Sequence, residues 1–255
     1  MAHKKQTYRF RQSDKIPQQE PKRQWEPIDP VLQEQFLEGK AILINKDKHW
    51  TSFDVVRKLR GLLQIKKIGH AGTLDPLATG LLIICTGKFT KKINEYMARE
   101  KEYTGSFTLG AVTPTYDLES EPEEEKDFSF VTPELLHKTT LQFTGDIQQY
   151  PPVHSAVKKD GVALYKLARK GVDVELEPRA VTIHTFEITG VELPVVHFRI
   201  VCSTGTYIRS MAHDYGKALG CGAYLSNLCR IKIGEFSLED AVTVDAFETS
   251  VRKKD

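Results

Sequence analysis

Cysteine is scarce in this chain: Cys85, Cys202, Cys221 and Cys229 are the four in 255 residues. No two of them form a Cys-x-x-Cys pair, so neither a zinc ribbon nor a redox dithiol motif is present, and they read as small core or surface residues in a reducing compartment. Long apolar runs are lacking as well. None approaches the ~20 residues that cross a bilayer, and the lysine-rich start has no apolar segment of the signal-peptide kind. The expected location is the cytoplasm, with no membrane partner. Net charge is also nearly lacking, since 36 Lys and Arg stand against 34 Asp and Glu. A polyanionic partner would therefore have to be recognised through the arrangement of charge and not through its bulk sum. What is present is apolar material, 40% of 255 residues, enough for one large or two small domains.

The charges come in blocks. Residues 1–30 hold Lys4, Lys5, Arg9, Arg11, Lys15, Lys22 and Arg23 against Asp14, Glu20, Glu26 and Asp29. With few apolar residues, this basic extension cannot bury enough area to offset its ordering entropy, and it reads as a solvated tail or as an RNA-facing arm. Residues 117–127 hold seven acids, Asp117, Glu119, Glu121, Glu123, Glu124, Glu125 and Asp127, against Lys126. Such a block repels itself and phosphate, and an exposed loop turned away from nucleic acid is expected. Between residues 148 and 171, Lys158, Lys159, Lys166 and Arg169 lie near Tyr150 and Tyr165. Stacking and phosphate contact need these side-chain types together, although a solvated helix and loop would read much the same.

The chain is organised around Gly69-His70-Ala71-Gly72-Thr73-Leu74-Asp75-Pro76-Leu77-Ala78-Thr79-Gly80. A residue before proline is pushed out of helical backbone, so Asp75 is expected on a stiff loop with its carboxylate held in one place. The apolar run Leu81–Cys85 reads as a buried strand anchoring that loop. Gly72 and Gly80 fit backbone shapes or close approaches that a side chain would forbid. An ordinary Asp-Pro turn would show the same local pattern.

Around this string the periodicity predicts a strand over 41–46 and a helix after Thr51 or Ser52 carrying Val55, Leu59 and Leu62 or Leu63. A strand is expected near 103–110, and a helix opened by Thr132-Pro133-Glu134. Residues 181–202 read as two strands with a turn near Gly190, placing Val196, Phe198, Ile200 and Cys202 on one face. Thr206 is expected to cap a helix running toward Gly220, with Arg209 in its first turn. That is an unfavourable place for a cation in the helix dipole unless a carboxylate or phosphate is near.

The twelve-residue string resembles the catalytic motif of the pseudouridine synthases, specifically the TruB family that acts on tRNA. Motif matches run in family order from about Ala41 to Ile231. One departure lies at Lys46-Asp47-Lys48-His49-Trp50, where the family has a lysine-proline turn and a small residue. The resemblance implies that Asp75 is catalytic, that Tyr103 stacks on the target base and takes part in proton transfer, and that Arg209 pairs with Asp75. It further implies that Tyr207 lines the pocket and that Leu228 packs on the base. His70 is a candidate wedge for the space a flipped base leaves, or a hydrogen-bonded loop histidine. Residues 148–171 match a thumb that closes over an RNA hairpin, with Lys158, Lys159, Lys166 and Arg169 as its RNA-binding residues.

The implied fold is the α+β pseudouridine synthase core, a long mixed, largely antiparallel sheet with flanking helices. It would occupy residues 31–241, with 242–255 as a short C-terminal tail and no room for the RNA-binding PUA domain of many members. The implied reaction converts the uridine at position 55, in the T loop of tRNA, to pseudouridine. It involves no redox change or hydrolysis, so no cofactor and no metal are expected, and no obligate protein partner. The rivals are a noncatalytic RNA-binding protein on the same scaffold and a synthase acting on another RNA; the joint presence of Asp75, Tyr103 and Arg209 favours an enzyme.

Overall fold

The computed structural model describes residues 27–153, 158–159, 162–163 and 176–252. Helix α1 (Pro30–Glu38) begins where the Asp29 side chain accepts from the Leu32 amide and Pro30 supplies a preset φ. Strand β1 (Ala41–Lys46) follows, then α2 (Ser52–Leu63), opened by a reciprocal capping box between Thr51 and Asp54. Its Val55, Val56, Leu59, Leu62 and Leu63 are all buried.

Next come β2 (Ile68–His70), β3 (Thr79–Thr86), a 3-10 turn over Gly87–Lys92, α3 (Ile93–Ala98) and β4 (Lys101–Leu109). Helix α4 (Pro133–Thr140), capped by Thr132 as expected, leads to β5 (Gly145–Gln149). A small separate hairpin joins β6 (Lys158–Lys159) and β7 (Val162–Ala163). The chain closes with β8 (Arg179–Glu192), β9 (Val195–Cys202), α5 (Ile208–Leu219), β10 (Ala223–Ile233), β11 (Phe236–Ser237), β12 (Val242–Thr243) and α6 (Val244–Arg252).

One ten-stranded sheet runs in the order β12-β1-β3-β10-β4-β9-β8-β5, with β2 added on β3 and β11 on β10. Its pairings are antiparallel except β1 with β12 and β3 with β10, which is the mixed, largely antiparallel sheet expected. The β3–β10 contact is short, only Thr79 with Cys229 and Gly80 with Arg230. The two halves of the sheet thus meet at the end of the Asp75 loop. Gly80 is required there: its φ is +101°, and an added Cβ would lie 2.4 Å from the Arg230 carbonyl oxygen.

Strand β3 is buried on both faces, which accounts for its unbroken apolar run. Leu82 and Ile84 join the main core, whereas Leu81, Ile83 and Cys85 pack with Tyr96 and Ile233 in a second cluster. On β9, Val196, Phe198, Ile200 and Cys202 are all buried, as alternation predicts.

Three expectations are corrected. The turn after β8 falls at Leu193–Pro194, and Gly190 lies within β8 at a register shift, where absence of a side chain tolerates the bulge. The N-cap of α5 is Tyr207 and not Thr206, whose hydroxyl donates to the Ser203 carbonyl. Residues 242–252 are not a tail. Strand β12 extends the sheet beside β1, α6 buries Val244 and Phe247, and Lys58 of α2 pairs with Glu248 at 2.5 Å. The stabilisation comes from tertiary partners, because a nine-residue helix is marginal alone.

Candidate active site

Asp75 sits between β2 and β3 on a loop whose backbone polar groups are tied down almost residue by residue. The Ala71 amide donates to the Ile83 carbonyl. Arg230 donates to the carbonyls of Gly72 at 3.2 Å and Thr73 at 3.4 Å. The buried Ser52 hydroxyl accepts from the Leu74 amide at 2.9 Å and donates to its carbonyl at 3.1 Å. After Asp75 a tight turn closes from the Ala78 amide to the Asp75 carbonyl, and the Pro76 carbonyl accepts from the His49 amide at 2.7 Å. The loop is therefore neither helix nor coil but an irregular segment with its orphan groups satisfied.

The segment 47–50, where the sequence departs from the family, is stabilised by Lys46. By strand alternation Ile42, Ile44 and Lys46 face inward, and all three are buried. Lys46 Nζ donates to the carbonyls of Asp47 at 2.9 Å and Trp50 at 2.7 Å and reaches Pro76 O at 3.5 Å. Burial pushes its pKa down to about 8, against the attraction of the Asp75 and Asp47 carboxylates.

Arg209 faces Asp75 across the cleft. Its Nε lies 2.9 Å from Oδ2 and its Nη2 donates to Oδ1 at 3.4 Å, a two-point grip that holds the carboxylate in one orientation. The guanidinium also donates to the Thr115 carbonyl at 3.3 Å and lies 3.7 Å from Asp117 Oδ2. The dipole penalty for a cation at the start of α5 is thus offset by two carboxylates.

Here the acidic block departs from expectation. Glu121 to Asp127 are exposed, but Asp117 is buried beneath Arg209, because its backbone bridges Leu225 of β10 and draws it into the cleft.

Asp75, Tyr103, Tyr207, Arg209 and Leu228 line one cavity of about 340 Å³, joined by Lys101 and Arg230. Two bulges in β10, at Leu225/Asn227 and at Arg230/Lys232, bracket Leu228 and Arg230 and aim both at it. Burial pushes the Tyr103 phenol up, and the Arg230 guanidinium beside it pulls it back. Burial lowers Lys101 to about 8.

The entrance of α5 is clamped from elsewhere. Gln149 accepts from the Tyr207 amide at 2.8 Å and donates to its carbonyl at 3.1 Å, replacing a side-chain cap. Ser210 Oγ donates to the Tyr150 carbonyl at 2.7 Å. The root of the 148–171 segment is thereby fastened to the helix that carries Arg209.

His70 lies apart from this group. It is half-buried at the end of β2, off the cavity lining, and burial, with Arg230 nearby, lowers its imidazole pKa. Lys166 and Arg169 lie outside the described residues, and Lys158 and Lys159 are described only as backbone of β6.

Three residues support the site without belonging to any motif that marks them for it: Asp117, Lys46 and Arg230. Two left a legible signal. Lys46 continues the inward parity of Ile42 and Ile44, and Arg230 that of Leu228. A charged residue at an inward position of a strand needs a partner. Asp117 left none, being one acid among seven.

A sheet parted at its centre, with a carboxylate, an arginine and a tyrosine lining one cavity of about 340 Å³, defines a catalytic domain of the pseudouridine synthase class. The description "TruB family pseudouridylate synthase (N terminal domain)" matches residues 60–208, and "tRNA pseudouridylate synthase B C-terminal domain" matches 209–255. The chain belongs to the TruB family. A relative from Flavobacterium johnsoniae, tRNA pseudouridine synthase B, is 53% identical over 86% of this chain and 99% of its own. Its namesake from Phocaeicola vulgatus is 47% identical over 83% and 93%.

Among solved structures, an H/ACA RNP bound to a substrate RNA containing 2'-deoxyuridine superposes with a TM-score of 0.64 at 25% identity over 87% of this chain. A Cbf5-Nop10-Gar1 complex does so at 0.65 and 27% over 89%. The chain spans 55% and 60% of those two chains.

Proposed function

We propose that this chain isomerises the uridine at position 55 in the T loop of tRNA to pseudouridine, with Asp75 as the reacting carboxylate. The observation that carries the reading is the two-point Arg209–Asp75 pair on the wall of a cavity shared with Tyr103, Tyr207 and Leu228. Asp75 keeps about a third of its side-chain surface exposed, 36%, whereas Arg209 keeps 6%. The carboxylate is thus reachable while its partner is fixed, as differential stabilisation of a transition state requires.

The glycosidic bond of a stacked uridine is out of reach, so the base must leave the loop stack and enter the cavity. There Tyr103 supplies an aromatic face and Leu228 an apolar one. Asp75 then either attacks the sugar carbon or takes a sugar proton; both routes need a carboxylate of fixed orientation. The N1–C1′ bond breaks, the base turns, and the C5–C1′ bond forms. The uracil loses a proton at C5 and gains one at N1, so the sum is an isomerisation.

His70, at the edge of the Asp75 loop, is read as the group that occupies the vacated stack, and the lowering of its pKa favours the uncharged ring such stacking suits. The thumb, with Lys158, Lys159, Lys166 and Arg169, is read as the phosphate-contacting arm, and residues 1–30 as a basic extension. A tRNA substrate makes the cytoplasm the working compartment.

Incubation with unmodified tRNA, followed by pseudouridine mapping, tests the reading. Conversion at position 55 alone is expected. An isolated T-arm stem-loop should be modified within about tenfold of the kcat/KM for full tRNA, since loop bases are splayed at low cost. No conversion of either RNA, or conversion only at other positions, overturns it.

A further inference from the structure

Arg209 and His213 stand four residues apart on α5, so their side chains leave one face of the helix, one turn apart. Both meet the loop that runs from Thr113 to Asp117. Arg209 Nη1 donates to the Thr115 carbonyl at 3.3 Å and Nε lies 3.7 Å from Asp117 Oδ2. The residue between those two, Tyr116, lays its ring on the His213 imidazole, with centroids 4.1 Å apart and planes 19° from parallel. Neither Arg209 contact to this loop is short, so the two leave the loop latitude along the helix. A ring laid flat on a ring removes that latitude.

The backbone at Tyr116 is unusual for such a side chain. Its φ is +64°, a left-handed conformation that a bulky aromatic residue rarely adopts and glycine adopts freely. Hydrogen bonds on both sides hold it there: the Tyr116 amide donates to the Thr113 carbonyl at 3.1 Å, closing a turn through Pro114, and the Leu225 amide of β10 donates to the Tyr116 carbonyl at 2.9 Å. Strain of this kind persists where the surroundings over-determine it, and it gathers at functional sites. A glycine would make the same turn unstrained, so what the tyrosine adds is its ring. The imidazole under it is half-buried, and burial lowers its pKa, so two uncharged rings meet at neutral pH. Among the described residues nothing hydrogen-bonds the buried His213 Nδ1. Stacking therefore sets the place of this ring where a hydrogen bond at Nδ1 does not.

We propose that Tyr116 and His213 are a pair of positioning residues for the isomerisation: their stack fastens the Thr113–Asp117 loop to α5 and so keeps Arg209 in its two-point grip on Asp75. The inference rests on the reaction proposed above. Two walls of the cavity depend on the same fastening. On the helix side, the residues flanking Tyr116 supply the carbonyl and the carboxylate that face the Arg209 guanidinium. On the sheet side, Tyr116 and Asp117 lie against Leu225, at the edge of the β10 bulge that turns Leu228 toward the cavity. The stack itself lies outside the cavity lining, so it acts through these neighbours and touches no reacting atom. A small misplacement of a group that orients a reacting carboxylate is expressed in the rate of the chemical step and not in RNA affinity.

The test is the single-turnover rate of pseudouridine formation on the T-arm stem-loop, with RNA Kd by filter binding and folding by circular dichroism, for wild type, Tyr116→Gly, His213→Ala, their double variant, Tyr116→Phe and His213→Phe. Tyr116→Gly keeps the turn and removes the ring; its rate should fall about tenfold or more with the RNA Kd within about threefold of wild type. His213→Ala should do the same. The double variant should be no slower than the slower single one, because two rings that act as one unit are lost only once. Tyr116→Phe and His213→Phe each keep a ring to stack and should stay within about threefold of wild type in rate. A folded Tyr116→Gly within about threefold of the wild-type rate overturns the proposal; if that variant does not fold, His213→Ala is read by the same limit. Phenylalanine variants as slow as the truncations overturn it, as does a Kd that weakens in step with the rate, which would make the pair an RNA contact. A wild type that makes no pseudouridine defeats the reaction on which the inference rests, whereas an active wild type with indifferent truncations defeats this inference alone.

Discussion

Replacing Arg209 with alanine should uncouple stability from catalysis in a way the site geometry makes quantitative. In the native protein the guanidinium faces two carboxylates of unlike exposure: Asp75 keeps 36% of its side-chain surface in solvent and Asp117 4%. Without the cation, Asp75 can recover much of its solvation from water, so its share of the loss is small. Asp117 cannot, and is left as a buried carboxylate with its partner gone. Breaking such a buried pair costs about 3–5 kcal/mol. At about 2–4 °C per kcal/mol for a domain of this size, the Tm should fall by about 6–20 °C. Adding Asp117→Asn removes the stranded charge with nearly the same shape, so the double variant should regain about half of the lost Tm or more. It should regain none of the turnover, which should stay at least about a hundredfold down because Asp75 has lost its two-point grip. Differential scanning calorimetry and single-turnover assays on the four proteins of the cycle read both quantities. Additive losses, with the double variant less stable than Arg209→Ala, would refute the argument, as would a Tm drop below about 3 °C for the single change.

Asp75→Asn should fold and bind RNA as wild type does yet lose turnover; single-turnover rates above about a tenth of wild type would rule out the carboxylate as the reacting group. Ser52→Ala strands the buried amide and carbonyl of Leu74, so it should cost about 1–3 kcal/mol by thermal melting and slow turnover without moving the RNA Kd. Lys46, lowered from 10.5 to about 8, binds fewer protons folded than unfolded between those values, so its contribution to stability rises with pH across that window and is lost as pH falls through 8. In Lys46→Met that rise should be missing, which denaturant melts of both proteins from pH 8 to 10.5 would detect as a difference from wild type that changes steadily with pH.

Much of this molecule is settled by rules that act over a few residues. Pro76 bars helix at Asp75, Thr51 and Thr132 cap the helices behind them, and β9 alternates because strand side chains point to opposite faces. The Leu81–Cys85 run was legible as a buried strand for the same reason. Even Lys46 and Arg230 are visible as charges on inward parity. What parity cannot say is where their polar atoms end: Lys46 on the carbonyls of a turn four residues away, Arg230 on a loop about 157 residues earlier.

Only the assembled sheet decided the rest. Local charge density assigned Asp117 to solvent with its acidic neighbours, but pairing beside β10 carried it under Arg209. Local pattern assigned residues 242–252 to a tail, but β1 offered an edge to pair with, and Phe36 met Phe247 edge to face at 6.1 Å. The reason is the same in both cases. Backbone preference is a property of a residue and its neighbours in sequence, whereas the free energy of a charge or a short amphipathic helix is set by the dielectric and the partners around it, and those are brought by distant strands.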